Sequence, residues 1–214
     1  MLENIAIFSG LSQPELEILE NHMVTRTFRK NTVVINEGDE AKSLYIILSG
    51  KVRVFLSNAD GKEIIINSQG AGDHFGELAL LDDAPRSASV MTTEKSSIGA
   101  ISKADFVALL AKHPELALKL TRELTQWVRL LSDNVKTLAL MDVYGRVAKT
   151  LLAMAEKEGD HLVIDNRPTQ QDIANRIGAS REMVARIMKD LTTGNYISID
   201  GKRLVINEKL PDAY

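Results

Sequence analysis

Two short runs carry the residue types best suited to chemistry in the first half of this 214-residue chain: Phe75-Gly76-Glu77-Leu78 and, a little further on, Arg86-Ser87-Ala88. A glycine lets the backbone come close to a bound molecule, and a short helix opening beside it points N–H groups outward. An arginine followed by a serine at the start of a strand can converge on one phosphate, the guanidinium supplying two parallel donors. The same residues would also make an ordinary surface turn with a solvated Arg–Glu pair. Taken alone, they leave both readings open.

The second constellation is Thr169–Leu191, TQQDIANRIGASREMVARIMKDL. Thr169 with Asp172 three residues on is a capping box, and Ile173, Ala174 and Ile177 give the helix it opens an inner face. Gly178 supplies the left-handed residue of a tight turn, and Ser180 caps a second helix. Met183, Val184, Ile187 and Leu191 are expected to face inward on that second helix. This is the pattern of a helix-turn-helix, whose second helix enters the major groove of DNA. Arg181, Glu182 and Arg186 remain outward, with Thr169 and Gln171 at the start of the first helix and Ser180 at the start of the second. Arginine grips the O6 and N7 of guanine with two bonds, and glutamate accepts from the cytosine amine. The alternative is a packed helix pair with solvated arginines.

Three textures of sequence must position these groups. Residues 1–22 read as a helical pair, with Ser12, Pro14 and Glu15 marking a capped start. From Val24 to about Ile101, β-branched runs recur at short intervals: Thr32–Ile35, Leu44–Leu48, Val52–Leu56, Glu63–Asn67, Ala88–Thr92 and Ser97–Ile101. Gly/Asp turns break them, including a hairpin turn at Asn58–Gly61, which predicts an antiparallel sandwich or barrel. A capped helix at Ser102–Lys112 follows. Pro114–Ala139 then reads as one helix of about 39 Å, with a heptad seam at Leu120, Leu124, Trp127, Leu131 and Leu138. Leu118, Val128, Leu130 and Val135 lie beside that seam. The simplest account is a helix that pairs with its own copy along the seam and rests on its own domain with another face. A long core helix within a monomer is the other reading. After it, Val143–Glu158 is expected to be helical and Leu162–Ile164 a strand. The two reader helices come next, then a hairpin about Asp200-Gly201. The boundaries predicted are a sensor over 1–113, a dimerisation helix over 114–140 and a DNA-binding domain over 141–214.

Composition narrows the function classes. The chain has no cysteine, so disulfides, thiolate metal sites and cysteine-held iron–sulfur clusters are excluded. No apolar run approaches the roughly 20 residues of a membrane span and the N-terminus has no signal pattern, so a cytoplasmic protein without membrane contact is expected. Residues 1–141 carry 15 basic against 18 acidic side chains and residues 142–214 carry 11 against 11. Within 169–189 the balance is basic, with Arg176, Arg181, Arg186 and Lys189 against Asp172 and Glu182. No nucleophile–base pair, metal-ligand spacing or paired carboxylates are present, so an enzyme is not expected.

With both constellations in view, the chain resembles the cyclic-AMP receptor protein (CRP/FNR) family of bacterial transcription regulators over nearly its whole length. The matching runs are Glu37-Gly38, Leu44–Lys51, Gly72–Leu80, Pro85–Ala88, Asp142–Leu152 and Ser180–Ile187. An F-G-E-L…R-S-A run in a β-roll followed by S-R-E-x-V-x-R is a specific combination. The resemblance implies an α+β fold: an N-terminal cyclic-nucleotide-binding β-roll (jelly roll), a long dimerisation helix and a C-terminal winged helix-turn-helix. It also implies that Glu77 holds a ribose 2′-hydroxyl, that Arg86 and Ser87 hold the cyclic phosphate, and that Gly76, Leu78 and Ala88 line the pocket. Arg181, Glu182 and Arg186 would read a half-site of a two-fold symmetric double-stranded DNA site, bound by a homodimer. RNA polymerase is the further partner implied.

The resemblance breaks in two places. Cyclic-AMP responders contact adenine across the dimer through a threonine–serine pair on the long helix, and here those positions hold Leu131 and Ser132. Leucine neither donates nor accepts, so one base-reading contact is lost. Cyclic AMP is the first expectation for the effector and cyclic di-GMP its rival. Secondly, Glu158–Asn166 is shorter than the family's usual polymerase-contacting loop, which puts activation through that surface in question. No haem is expected, because His74, near the pocket, reads as a strand-end surface residue. The remaining alternatives are a DNA-binding regulator with a vestigial sensor and a dimeric protein-interaction module.

Overall fold

A computed structural model describes residues 2–159 and 161–210. Asp160, inside the expected short loop, and the last four residues of the expected C-terminal domain lie outside the described residues. Two 3-10 turns (Leu2–Asn4 and Ala6–Phe8) precede α1 (Gln13–His22). Strands β1 (Val24–Phe28), β2 (Val33–Ile35), β3 (Ser43–Ser49), β4 (Lys51–Ser57), β5 (Glu63–Gly70) and β6 (His74–Phe75) lead to α2 (Leu78–Leu81). Then come β7 (Ser89–Thr92), β8 (Ser96–Ser102), α3 (Lys103–Lys112) and α4 (Pro114–Leu140). The remainder is α5 (Val143–Met154), β9 (Glu156–Glu158), β10 (His161–Ile164), α6 (Gln170–Ile177), α7 (Arg181–Thr193), β11 (Ile197–Asp200) and β12 (Arg203–Ile206). The chain is α+β and divides into two units, 1–56 with 65–129 and 57–64 with 130–214.

The first unit is a β-roll of two four-stranded sheets, β1-β8-β3-β6 and β2-β7-β4-β5. Period-two alternation explains how β3 serves two cores. Its Ile47 enters the sandwich with Val52, Val54, Phe75, Val90 and Ile98. Its Leu44 and Ile46 point the other way, against Leu16 and Leu19 of α1, Phe106 of α3, and Leu116 and Leu120 of α4. Each such fully buried side chain stabilises by about 1.5–3 kcal/mol. Local signals set the helix starts. Ser12 and Glu15 cap each other at α1, and Ser102 accepts from the Asp105 N–H at α3.

In the second unit, α5, α6 and α7 pack over the β11-β12-β10-β9 sheet through Tyr144, Val147, Leu151, Ile173, Val184, Leu191 and Leu204. Asp142 caps α5 by accepting from the Gly145 N–H at 2.7 Å. The hairpin-tip residues 57–64 group with this unit, and there Asn175 of α6 donates to the Glu63 carboxylate at 3.4 Å.

Four expectations need correction. The expected N-terminal helical pair is two 3-10 turns and a single α-helix. Residues 156–158, expected as the end of a helix, form β9, which pairs with β10 over the strand expected at Leu162–Ile164. Met183 is 41% exposed, and Met188 is buried in its place, one turn beyond Val184. The seam of α4 divides: Leu120 is buried in its own unit and Leu124 packs there too, whereas Leu131 and Leu138 are exposed. The apolar side chains left outward on α4 are Leu118, Val128, Leu130, Leu131, Val135, Leu138 and Leu140. Within them Val128, Leu131, Val135 and Leu138 keep heptad spacing.

Candidate functional site

In the first unit the two sequence clusters meet at one cavity. β6 ends at Gly76, whose φ of +87° is in the left-handed region. A Cβ there would lie 2.5 Å from Arg86 Nη1, so only glycine admits the guanidinium against this backbone. Arg86 is 4% exposed. Its Nη1 donates to the Gly76 carbonyl at 2.7 Å and its Nη2 to the Ser43 carbonyl at 2.7 Å. Its guanidinium carbon sits 5.5 Å from the centre of the Tyr45 ring. Tyr45 in turn stacks on Phe75, with centroids 5.1 Å apart and planes 12° apart. Burial pushes the Arg86 pKa down, opposed by Tyr45 and by the Glu77 and Asp39 carboxylates. The side chain remains a cation with donors to spare beyond its two carbonyl bonds.

Glu77 follows Gly76 and leads into α2, and the cavity wall includes Gly76, Glu77, Leu78, Arg86, Ser87 and Ala88. Burial pushes the Glu77 carboxyl up and nearby Glu123 adds to this, against its own backbone N–H bond and Arg86. The floor is apolar, from Ile35, Val54, Ile66, Phe75 and Val90. The space is about 60 Å³. The arrangement offers a cation and a hydroxyl at one end, a desolvated carboxylate beside them and an apolar interior. Chemically it offers donors for an anion beside an acceptor for a hydroxyl.

Six of the eight expected ligand residues therefore come together, and the other two do not. Leu131, 38% exposed, and Ser132 belong to the part of α4 assigned to the second unit. The residue α4 does bring to the cavity is Trp127. Heptad spacing places it on a seam and says nothing about which face of α4 its own unit covers. Only its size, wide for a two-stranded seam, distinguishes it. Gln69 was equally silent in the sequence: it lines the same cavity, and its Nε2 donates to the His74 carbonyl at 2.8 Å.

Trp127, Gln69 and Glu77 also line a second, more polar cavity of about 250 Å³, with Asp73, His74 and Glu123. His74 was expected at the surface; its side chain is only 11% exposed, because β6 pairs with β3 beneath it. Burial lowers its pKa to about 4, with Asp73 opposing. Its Nε2 lies 3.5 Å from the Glu123 carboxylate, and a histidine neutral above about pH 4 makes this a polar contact rather than an ion pair at neutral pH.

The second constellation lies in the second unit. Thr169 and Asp172 form the reciprocal cap, with the Thr169 N–H donating to Asp172 at 3.0 Å and the Asp172 N–H to Thr169 at 3.1 Å. Gly178, at φ +65°, ends α6, and a Cβ there would sit 3.3 Å from Leu138. Arg146 of α5 donates to the Ile177 carbonyl at 2.8 Å, fixing the end of α6. Ser180 accepts from the Met183 N–H at 3.2 Å and starts α7. Ala174, Val184 and Ile187 are buried between the helices, so Arg181, Glu182 and Arg186 are left exposed, as are Thr169, Gln171 and Ser180. Backbone and Ser180 hydrogen bonds lower the Glu182 pKa and keep it an ionised acceptor. The β11–β12 hairpin turns at Gly201, φ +55°, beside this helix pair in the chain order of a wing.

Comparisons with known proteins match the chain in two parts. Residues 25–113 match the model of the cyclic nucleotide-binding domain. Residues 145–209 match the Crp-like helix-turn-helix domain. The chain is 32% identical over 212 residues to a CRP-like cAMP-activated global transcriptional regulator of Mycobacterium tuberculosis, covering 97% of this chain and 95% of that one. It is 33% identical over 200 residues to the cAMP-activated global transcriptional regulator CRP of Salmonella typhimurium, covering 91% and 95%. Among solved structures, the c-di-GMP responsive regulator CLP of Xanthomonas campestris superposes with a TM-score of 0.81 at 23% identity, covering 92% of this chain and all of that one. Among the described residues no helix is long and apolar enough to cross a membrane, and no group of three or more acidic or histidine side chains is placed to hold a metal ion.

Proposed function

Because this chain belongs to the CRP family of transcription regulators, we propose that the cavity around Glu77 and Arg86 takes a cyclic nucleotide and thereby controls two recognition helices in a homodimer. The observation that carries this is the convergence of Gly76, Glu77, Arg86 and Ser87 on one cavity of the cyclic nucleotide-binding domain. The remaining Arg86 donors and the Ser87 hydroxyl hold the cyclic phosphate, and the Glu77 carboxylate accepts from the ribose 2′-hydroxyl. Gly76, Leu78 and Ala88 close around the sugar. Cyclic AMP is the first candidate, since relatives at 32–33% identity are named as cAMP-activated. Cyclic di-GMP, named for one structural neighbour, is the second.

Residues 114–140 form the dimerisation helix between a sensor over 1–113 and a DNA-binding domain over 141–214. The outward Val128, Leu131, Val135 and Leu138 supply an apolar heptad stripe that a second copy covers. Two α7 helices then enter successive major grooves about 34 Å apart. Arg181, Glu182 and Arg186 read bases, while Thr169, Gln171 and Ser180 meet the backbone. Gating requires that the nucleotide bind one dimer state more tightly than the other.

A second reading has one observation behind it. Arg86 already satisfies two backbone carbonyls, so it also serves as an internal staple in a regulator that needs no ligand. Calorimetric titration of cyclic AMP, cyclic GMP and cyclic di-GMP into wild-type protein and Arg86→Ala separates the two. Binding to the wild type that the variant loses supports the sensor; no heat with any of the three supports the constitutive regulator.

A further inference from the structure

Two residues of the cavity lining, Trp127 and Gln69, have no role in the reading above, and two observations single them out. Trp127 reaches the cavity from α4 of the same chain, half-buried, while the rest of its lining comes from the β-roll and α2. Beside it, Gln69 lines the same space and its Oε1 is buried without a hydrogen-bond partner among the described residues. The Gln69 Nε2 is committed to the His74 carbonyl at 2.8 Å, which leaves the oxygen facing away from that bond. A buried acceptor without a partner is rare and calls for a donor from elsewhere.

We propose that Trp127 and Gln69 form the base-recognition end of the site, the indole stacking on the nucleobase and Gln69 Oε1 accepting from its amine. This rests on the nucleotide reading of Arg86 and Glu77 and adds to it how the base is held. Stacking on an aromatic face tolerates different bases, because every base has a π-face. The single polar acceptor then selects for bases that can donate, which adenine and guanine both do. Recognition of this kind does not need a hydroxyl at position 131, where the chain has leucine. It also accounts for a tryptophan at a place where a coiled-coil seam would prefer a smaller aliphatic residue.

Trp127 is the only tryptophan of the chain, so its fluorescence reports the site directly. The test titrates wild-type dimer, Trp127→Phe and Trp127→Leu with four ligands by calorimetry, with tryptophan emission followed in the wild type. The ligands are cyclic AMP, cyclic GMP, purine riboside 3′,5′-cyclic phosphate, which lacks the amine, and 1-deoxyribose 3,5-cyclic phosphate, which lacks the base. Cyclic AMP and cyclic GMP are expected to shift the emission and the base-free ligand to leave it unchanged. Trp127→Leu is expected to bind cyclic AMP roughly 5- to 150-fold more weakly with base-free binding unchanged, and Trp127→Phe to keep most of the affinity. Purine riboside cyclic phosphate is expected to bind the wild type roughly 2- to 12-fold more weakly than cyclic AMP. Trp127→Leu binding cyclic AMP as the wild type does, or losing cyclic AMP and the base-free ligand equally, overturns the stacking role. Equal binding with and without the amine overturns that of Gln69. Wild type that binds none of the four overturns the nucleotide reading itself, and this inference with it.

Discussion

Arg86 donates to the carbonyl of Gly76 at 2.7 Å, which ties the segment before β7 to the turn that leads into α2. The one guanidinium thus has two duties, holding the cavity in shape and presenting charge to it. The second donor bond, to Ser43, binds β3 into the same arrangement.

Replacing that side chain is therefore expected to cost stability as well as binding. Arg86→Ala leaves two part-buried carbonyls without this donor, at about 1–3 kcal/mol each when unsatisfied. A loss of about 2–6 kcal/mol should appear as a lower urea midpoint without any ligand present. An unchanged midpoint would mean that the carbonyl bonds contribute nothing net.

Glu77 is expected to show the opposite trade. Burial raises its pKa, so the folded state holds its proton to higher pH than the unfolded chain does. That makes the ionised carboxylate a cost which is full above the raised folded pKa and vanishes below about 4.5. Glu77→Gln should raise the unfolding midpoint of ligand-free protein at pH 8, with the difference shrinking toward pH 4. Its affinity for cyclic AMP should fall at least tenfold.

His74 gives a second pH dependence of opposite sign. Its pKa is lowered to about 4, so between pH 6.5 and 4 the unfolded chain binds the proton and the folded one does not. Stability is lost as pH falls through this window, by about 3 kcal/mol when it is crossed completely. His74→Asn, which cannot titrate, should flatten that slope in urea unfolding curves collected from pH 7 to pH 4. A slope identical to wild type would mean that other groups set it.

These side chains also show what the chain made legible and what it did not. The caps at Ser12, Ser102, Thr169 and Ser180 and the left-handed Gly178 were readable because each acts on neighbours a few residues away. The reader helices follow from them. Gly76, Glu77, Arg86 and Ser87 were identifiable as a cluster through their family pattern. Burial of His74, by contrast, depends on β6 pairing with β3 across about 28 residues. Heptad spacing places Trp127 on a seam, because it marks an apolar stripe without saying what covers it. Leu120 and Trp127 turn to their own unit, and the stripe that remains for a partner begins at Val128.

That stripe yields a test of assembly. Val128 is 63% exposed and Val135 is 66% exposed, so charge at either place disturbs little within one chain. Val128→Asp with Val135→Asp is expected to sediment as a monomer with an unchanged circular dichroism spectrum, and to lose affinity for a palindromic DNA site. A variant that stays dimeric would assign dimerisation to another surface.

On the reader, Arg181→Ala should relax base preference at one position of each half-site, at about 1–3 kcal/mol per lost bidentate contact. Salt titrations should distinguish base contact from charge alone, since each lost phosphate contact lowers the slope of log affinity against log salt by about 1. Unchanged sequence preference in gel-shift competition would remove Arg181 from the base-reading set.

The central claim is that a nucleotide in the Glu77–Arg86 cavity controls DNA binding. It is tested most directly by fluorescence anisotropy of a labelled two-fold symmetric duplex, titrated with protein in the presence and absence of cyclic AMP, cyclic GMP or cyclic di-GMP. Wild-type affinity for DNA is expected to change at least tenfold with one of these ligands, a coupling of about 1.4 kcal/mol or more. Arg86→Ala and Glu77→Gln are expected to show no such change. Wild-type affinity that is the same with every nucleotide and with none would contradict the account.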